Sequence, residues 1–338
     1  MNSLSQELDT VQKKKVFLLK NMSYSANLVL HSCPKRWQLE KLGGAVDEEE
    51  QKGSVHFAFG HAIGAGIQTL FMPGKTKNDA RLAALLAWDV SLNEELPEKK
   101  KSFWYALKAI DLAEHLVAEI QSEGWELATL NGVPAVEYSF VIKLPNGFRF
   151  AAHIDLILYH PERDKYRVVE VKSSGFKNIP EAIYGNSSQS LSYSIVLDYL
   201  VKHKTVYDVL YLVYSCPNMG FEMFAFAKSN LAKVEWIRDI LYDCTVVQGL
   251  IDTNYFPKRG ESCYAFFSVC QFYGSCGYGD EFLGLDNEKM LDVLIKKQLE
   301  NTQIDKNNKR GYDLELDLEE LLKDRMLVLG KENTNETI

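Results

Sequence analysis

Two acidic residues and a lysine are spaced so that neighbouring β-strands could bring them together. Asp155 lies in one apolar segment, and Glu170-Val171-Lys172 ends the next. Because alternate residues of a strand share a face, Glu170 and Lys172 would lie on the same side of a sheet. Asp155, Glu170 and the carbonyl of Val171 could hold one divalent cation, and Lys172 could hold an attacking water and offset charge on a phosphate. A surface ion pair on a half-exposed strand is the alternative interpretation.

A glutamine and a tyrosine follow on the next segment with a helical pattern. Gln189 and Tyr193 are four residues apart, so they would lie on one face of a helix. Gln189 could hydrogen-bond a phosphate, a base or a metal-bound water, and Tyr193 could do the same or stack on a base. A polar helix flank is the alternative, and the pair is informative because it directly follows the two acidic strands.

Three cysteines are clustered in a segment rich in aromatic residues. Six residues separate Cys263 from Cys270, and five separate Cys270 from Cys276. Six cysteines in all are too few for a disulfide scaffold, so a cluster of this kind favours metal binding. Three thiols would leave a metal one ligand short, so a fourth ligand would have to come from elsewhere in the chain. The alternative interpretation is that these cysteines are reduced and bind no metal. Cys216 follows a strand pattern, Cys244 lies in a helical pattern, and both are interpreted as ordinary buried thiols.

Hydrophobic periodicity places these residues on a mixed α/β core. The third predicted strand is apolar on both faces, which favours a central position in a sheet. The order of elements predicts a mixed central β-sheet flanked by helices, with a helical insertion near 74–130 and a cysteine-rich loop. Helical patterns cover 23–42 (interrupted at Cys33-Pro34), 55–72, 79–92, 103–124, 187–201, 232–251, 286–300 and 314–322, and strand patterns cover 135–142, 148–159, 166–172, 208–215 and 222–227.

Composition narrows the classes of protein that need to be considered. The chain has 338 residues, 46% of them hydrophobic, which favours a globular fold over a disordered or collagen-like chain. Its formal net charge of −8 argues against a protein that coats nucleic acid through bulk charge but is compatible with an enzyme that has a local basic groove. No export signal or membrane span is recognisable, so we expect a cytoplasmic protein with no membrane partner. We expect a domain at 1–280 and an acidic, partly helical tail at 281–338.

In order and spacing, the acidic strands and the Gln-Tyr helix resemble the PD-(D/E)xK nuclease superfamily. The resemblance is to its RecB-like and AddB-like exonuclease branch, to the related CRISPR-adaptation exonucleases and to exonucleases of a phage type. It implies a restriction-endonuclease-like core with Asp155 on the second strand, Glu170 and Lys172 on the third, and Gln189 and Tyr193 on the following helix. It also implies Mg²⁺ or Mn²⁺ as the cofactor.

The same resemblance implies a fourth ligand for the clustered cysteines. Iron–sulfur members of the family supply it from an N-terminal cysteine that is usually followed by proline, and Cys33-Pro34 looks like this residue. Four thiolates from Cys33, Cys263, Cys270 and Cys276 would suit a [4Fe–4S] cluster, and they would also suit tetrahedral zinc. The spacing departs from the family in one gap, since the family usually has two residues where six separate Cys263 from Cys270.

Other family positions match less closely. The family often has a metal-binding histidine on the first core helix, four residues after a glycine. In this chain, Gly64 stands at the position of that histidine. His61 lies one turn earlier and is a candidate metal ligand, although a structural histidine is the alternative. Glu137 falls where the family often has an acidic residue on the first strand, and an exposed strand position explains it equally well. Ala152 replaces a favoured glycine before the acidic residue of the second strand.

The implied function is a metal-dependent DNA exonuclease that hydrolyses phosphodiester bonds with metal-activated water, in DNA repair, recombination or replication. The acidic net charge leaves room for a helicase or recombination partner that supplies DNA affinity. Two alternatives stay open. One is a DNA-binding or scaffold subunit with the nuclease fold and little or no catalysis, and the other is a zinc-stapled interaction protein.

Overall fold

The computed structural model describes residues 13, 15–42, 54–90, 93–185, 187–202, 207–265, 268–274, 276 and 311–319. The chain divides into two compact units, which are treated separately. As far as these ranges are described, unit 1 draws on Met1–Gln51, Ser139–Ala152 and Ile237–Ile338, and unit 2 on Lys52–Tyr138 and His153–Trp236.

The described ranges form helices and strands, and each of the five predicted strands is present. The helices are α1 (Tyr24–Ser32), α2 (Pro34–Lys41), α3 (Val55–Phe71), α4 (Lys77–Ala87), α5 (Phe103–Ser122), α6 (Ala182–Gly185), α7 (Ser188–Val201) and α8 (Asn230–Thr253). The strands are β1 (Asn21–Met22), β2 (Glu126–Leu127), β3 (Thr129–Leu130), β4 (Val133–Pro134), β5 (Val136–Lys143), β6 (Arg149–His160), β7 (Lys165–Ser174), β8 (Tyr207–Ser215), β9 (Gly220–Lys228), β10 (Tyr264–Ala265), β11 (Ser268–Val269) and β12 (Leu314–Asp317).

The main sheet is mixed and has the order β12-β5-β6-β7-β8-β9, with β1 and β2 also paired to β6. β6 and β7 are antiparallel, β7 and β8 are parallel, and β8 and β9 are antiparallel. β7 therefore lies in the middle of the sheet, as expected for a strand that is apolar on both faces. The predicted mixed sheet flanked by helices is confirmed.

In unit 2, the helices α3, α4 and α5 pack together, and α3 also packs on β7. Ser54 caps the N-terminus of α3, and its side chain accepts a hydrogen bond from the backbone N–H of His56. Gly66 allows the close approach of α5, because a Cβ at this position would lie 2.5 Å from Cδ1 of Ile110. α4 and α5 lie within the range predicted as a helical insertion, and β2 and β3 occupy its C-terminal end. On another part of the sheet, α7 packs on β7 and β8.

In unit 1, the break between α1 and α2 falls at the predicted Cys33-Pro34. Cys33 ends α1, and its sulfur accepts a hydrogen bond from the backbone N–H of Arg36 at the start of α2. Pro34 occupies the first position of α2, where its missing N–H costs nothing. Among the described residues, no helix is long and apolar enough to cross a membrane.

The predicted helix at 314–322 is wrong at its beginning. Leu314–Asp317 forms strand β12, which pairs in parallel with residues 140–143 of β5. The reason lies in the local pattern, because Leu314, Leu316 and Leu318 alternate with acidic residues at the period of a strand. Leu316 and Leu318 are buried, and Lys143 pairs with Glu315 at 2.8 Å. The helix predicted at 286–300 lies outside the described residues.

Candidate active site

Strands β6 and β7 bring Asp155 next to the Glu170-Val171-Lys172 segment. Leu156 is paired with Val169, so Asp155 and Glu170 follow at the next step of the two strands. The backbone N–H of Val171 donates a hydrogen bond of 2.8 Å to Oδ2 of Asp155. The antiparallel register thus places the two carboxylates at the same level of the sheet.

Lys172 and Glu170 form a close ion pair along β7. Nζ of Lys172 lies 2.5 Å from Oε1 of Glu170, as the two-residue spacing on one strand face predicts. The Glu170 side chain is only 2% exposed, whereas that of Lys172 is 36% exposed. The carboxylate is therefore enclosed by protein, and the ammonium group reaches toward solvent.

The protonation of this group is set by burial and by mutual charge. Burial, and then the charge of Glu170, raises the pKa of Asp155 well above its usual value. Burial likewise raises the pKa of Glu170, although Lys172 acts in the opposite direction. Burial alone would lower the pKa of Lys172, but Glu170 and Asp155 outweigh it and raise that pKa. Lys172 consequently remains an ammonium at neutral pH.

The carboxyl groups of Asp155 and Glu170 thus share one positive charge, the ammonium group of Lys172. Two ionised carboxylates would need a second positive charge nearby. Oε2 of Glu170 is buried and has no partner in full hydrogen-bond geometry, although the Gln189 amide lies close enough to lower the pKa of Glu170. A hard divalent cation fits such a donor set, because it prefers carboxylate and carbonyl oxygens and often uses only one or two carboxylates with water. Among the described residues, no three His, Cys, Asp or Glu side chains converge closely enough to hold a metal ion by themselves.

Helix α7 places Gln189 and Tyr193 beside the carboxylates. Nε2 of Gln189 donates a hydrogen bond of 2.6 Å to the hydroxyl of Tyr193, as their four-residue spacing allows. Burial, followed by Glu170 and Asp155, raises the pKa of Tyr193 well above its usual value, so the phenol is neutral. Tyr193 is only 1% exposed, so its ring offers no open face for stacking on a base. The pair supports the carboxylates from within the protein.

A cleft of about 710 Å³ opens at Asp155, Val171 and Lys172. It lies within unit 2, and its size falls in the range of roughly 300–1,000 Å³ that is typical of ligand sites. Helix α3 contributes a row of residues with four-residue spacing. The lining residues are His56, Phe57, Gly60, His61, Gly64, Ala65, Gln68, Ala87, Lys101, Glu137, Asp155, Val171, Lys172 and Ser173.

Glu137 joins the cleft through an unusual backbone conformation. Its φ of +47° lies in the left-handed region, which is rare for a residue other than glycine. The side chain accepts a hydrogen bond of 2.5 Å from Nε2 of the largely buried Gln68. The sequence analysis identified Glu137 as a candidate but missed Gln68. The spacing of His56, Gly60, Gly64 and Gln68 along one face of α3 is the signal that could have revealed it.

His61 lines the same cleft, but its contact in the structure is with another residue. Nδ1 of His61 lies 3.6 Å from Oδ2 of Asp89, and the His61 side chain is 61% exposed. Gly64, one turn further along α3, leaves open space, since a Cβ at this position would meet no atom within 4 Å. Coordination of the metal by His61 stays a prediction.

In unit 1, the four cysteines at positions 33, 263, 270 and 276 line one small cavity of about 10 Å³, here called the cysteine cavity. Four basic side chains, Lys35, Arg36, Lys258 and Arg259, also line it. Burial, then the neighbouring thiols of Cys276, Cys270 and Cys33, raise the pKa of Cys263. Cys216 and Cys244 are buried elsewhere, as their sequence patterns suggested.

Comparison with known protein families relates the sequence to one of them. A sequence model of the PD-(D/E)XK nuclease superfamily matches residues 21–277, a range that contains both the cleft and the cysteine cavity. No protein of curated function matches the chain significantly in sequence. Among solved structures, a candidate exonuclease from Eubacterium rectale is 11% identical with a TM-score of 0.45, covering 81% of this chain and 92% of its own. The structure of SSO0001 is 13% identical with a TM-score of 0.33, covering 81% of this chain and 97% of its own.

Proposed function

The chain belongs to the PD-(D/E)XK nuclease superfamily, and from this premise we propose that it is a metal-dependent DNA exonuclease of the RecB-like type. Its role would be in DNA repair, recombination or replication. The observation that carries the proposal is that Asp155 and Lys172 line the cleft while Lys172 is paired with the buried Glu170, so that two carboxylates share a single lysine. A structural ion pair would need only one carboxylate.

Asp155, Glu170 and the carbonyl of Val171 would hold Mg²⁺ or Mn²⁺. When bound, the ion supplies positive charge that stabilises the transition state at the scissile phosphate and favours water as the nucleophile. The raised pKa values of the two carboxyls support this assignment, because a cation would replace the protons that burial favours.

Lys172 would act as a hydrogen-bond donor and a fixed positive charge. One of its three N–H groups is directed to Glu170, which leaves others for a water or a phosphate oxygen. Without a bound metal, Glu170 and Asp155 raise the pKa of Lys172, so that its side chain is a charged ammonium group. Gln189 and Tyr193 would be positioning residues that hold Glu170 in place, since Tyr193 is too deeply buried to stack on DNA.

We further propose that the cysteine cavity holds a metal centre that links α1 and α2 to the loop after α8. The four described thiols do not converge closely enough to hold a metal ion as they stand, so binding would draw them together. The resemblance to iron–sulfur exonucleases favours a [4Fe–4S] cluster, whose negative charge the four basic neighbours would offset. A single Zn²⁺ is the second candidate, because a cavity of about 10 Å³ has room for only one water-sized body. Iron, sulfide and zinc analysis of protein purified without oxygen distinguishes the two.

A helicase or recombination partner remains part of the proposal. The chain has a net charge of −8, so DNA affinity must come from local cationic residues or from another protein. A partner that raises DNA affinity without adding a nuclease site would fit this charge balance.

Cleavage assays on matched DNA substrates test the proposed activity. Purified protein is incubated with end-labelled linear DNA and with closed circular DNA, each with Mn²⁺ and with chelator. We expect the linear DNA to be degraded from its ends only with Mn²⁺ and the circular DNA to survive. Equal cleavage of circular DNA would identify an endonuclease, and intact linear DNA in the presence of Mn²⁺ would favour a noncatalytic subunit.

A further inference from the structure

The rim of the cleft carries three side chains that the catalytic assignment does not use. His56 and Phe57 lie on the first turn of α3, and Lys101 lies just before α5. All three line the same cleft as Asp155 and Lys172. Their types differ from those of the carboxylate group, since they offer a cation, a hydrogen-bonding imidazole and an apolar ring.

Lys101 is held in place by a tight backbone loop. Leu96 and Lys101 exchange two backbone hydrogen bonds of 2.9 and 3.0 Å. Lys100 closes the loop with a φ of +53°, and its ammonium donates a hydrogen bond of 2.7 Å to the carbonyl of Pro217. This backbone fixes the point from which the Lys101 side chain reaches the cleft.

Lys101 and His56 are hydrogen-bonded to each other. Nζ of Lys101 lies 2.9 Å from Nδ1 of His56, and because an ammonium can only donate, Nδ1 is the acceptor. The proton of the neutral imidazole then resides on Nε2, which becomes a second donor. A lysine with an adjacent imidazole N–H matches the oxygens of a phosphodiester, which accept several hydrogen bonds.

Phe57 presents an open aromatic face next to this pair. It is 68% exposed, although burial of a phenylalanine is normally favourable. An exposed aromatic ring beside a cationic group is the arrangement with which proteins hold single-stranded nucleic acid, through base stacking and phosphate contacts. Bases within a duplex are already stacked on both sides, so a ring of this kind favours an unpaired strand.

We propose that His56, Phe57 and Lys101 form a subsite for single-stranded DNA at the entrance of the cleft. Lys101 and His56 bind a phosphate next to the scissile one, and Phe57 stacks on the adjoining base. The subsite rests on the proposed nuclease function and specifies its substrate as an unpaired end. It also places local positive charge in a chain whose net charge is −8.

Binding measurements without cleavage test the subsite. Fluorescence anisotropy is recorded with a labelled single-stranded DNA oligonucleotide in Ca²⁺ and without Mn²⁺ or Mg²⁺. Phe57→Ala and Phe57→Leu should weaken binding about 5- to 150-fold, the range for loss of one stacked base. Phe57→Trp should retain affinity, because it restores a stacking ring. Tyr242→Ala, which removes a ring of the same 68% exposure outside the cleft, should bind as wild type.

The lysine is tested through the salt dependence of binding. Lys101→Ala should reduce the slope of log K against log salt concentration by about 0.7, the contribution of one phosphate contact on a single strand. Lys75→Ala removes an equal charge from an exposed position away from the cleft and should leave the slope unchanged.

The outcomes separate the subsite from the proposed activity. If wild-type protein cleaves linear DNA but the Phe57 and Lys101 variants bind like their controls, the subsite is overturned and the nuclease assignment stands. If wild-type protein fails to cleave but the variants lose binding as stated, the subsite stands and the catalytic assignment fails. Tenfold tighter binding of an RNA oligonucleotide of the same sequence, or of duplex DNA, overturns the assignment to single-stranded DNA.

Discussion

Substitution of Lys172 by methionine keeps the length of the side chain and removes its charge. Nζ of Lys172 lies 2.5 Å from Oε1 of Glu170, and at an effective dielectric constant of about 20 this corresponds to an attraction of about 7 kcal/mol. Lys172 is 36% exposed, so solvent screens part of this energy. We therefore expect a loss of folding stability of about 3 kcal/mol, at the lower end of the range for breaking a buried pair.

This loss should depend on pH in a defined direction. In the folded variant, the pKa of Glu170 should rise further above the unfolded value of about 4.3, because burial remains and the cation is gone. When the pKa of a carboxyl group is higher in the folded than in the unfolded protein, the free energy of unfolding falls as the pH rises between the two pKa values. The difference from wild type should be largest at pH 8 and should shrink toward pH 4.

Urea unfolding at pH 5 and pH 8, in buffer without divalent cations, measures the stability difference. Lys165→Met is the matched control, because Lys165 is exposed on the same strand and should lose little at either pH. Cleavage of linear DNA in Mn²⁺ by Lys172→Met should be at least about 100-fold slower, the cost of removing one preorganised donor. A stability loss that is equal at both pH values, or cleavage at a rate near that of wild type, would refute this reasoning.

Three further predictions concern the metal ligands, the cysteine cavity and helix α3. Asp155→Ala and Glu170→Ala should each weaken Mn²⁺ binding about tenfold or more in calorimetry, since each removes one of two carboxylates; unchanged affinity in both would leave only a structural ion pair. Replacement of any one of the four cysteines of the cysteine cavity by serine should lower the metal content and the melting temperature, whereas Cys216→Ser should retain the metal. Equal metal content in all of these variants would refute the proposed metal centre. Gly66→Ala should lower the free energy of unfolding by about 1–3 kcal/mol, because the added methyl group would lie 2.5 Å from a side chain of α5. Gly64→Ala should raise it by up to about 1 kcal/mol, because alanine is the better helix former and the space at this position is open. The reverse order in urea unfolding would contradict the packing of α3.

Local patterns were enough to predict most of the secondary structure and the relation between Glu170 and Lys172. The period of two along β7 places both side chains on one face, and from there the long Lys172 side chain brings its Nζ to 2.5 Å from Oε1 of Glu170. The period of 3.6 along α7 similarly brings Gln189 to Tyr193. Such contacts depend on neighbours within one element, so the sequence carries them directly.

Contacts between distant segments were not predictable in the same way. Gln68 reaches Glu137 only because α3 packs against the sheet, and the left-handed conformation of Glu137 has no glycine or asparagine to announce it. The pairing of Lys101 with His56 joins a loop to a helix 45 residues away. These parts of the site follow from the packing of unit 2, which no spacing in a single segment encodes.

The pairing of strand β12 with β5 bears on where the C-terminus of the protein can be truncated. Its pairing with residues 140–143 provides hydrogen-bonding partners for one side of β5, and it buries Leu316. A chain cut at residue 280, the predicted domain boundary, would leave the backbone N–H and C=O groups on that side of β5 unpaired beside newly exposed apolar side chains. An uncovered edge of this kind recruits strands from other molecules and promotes aggregation. We therefore expect residues 314–317 to protect solubility, even though they lie far along the sequence from β6 and β7.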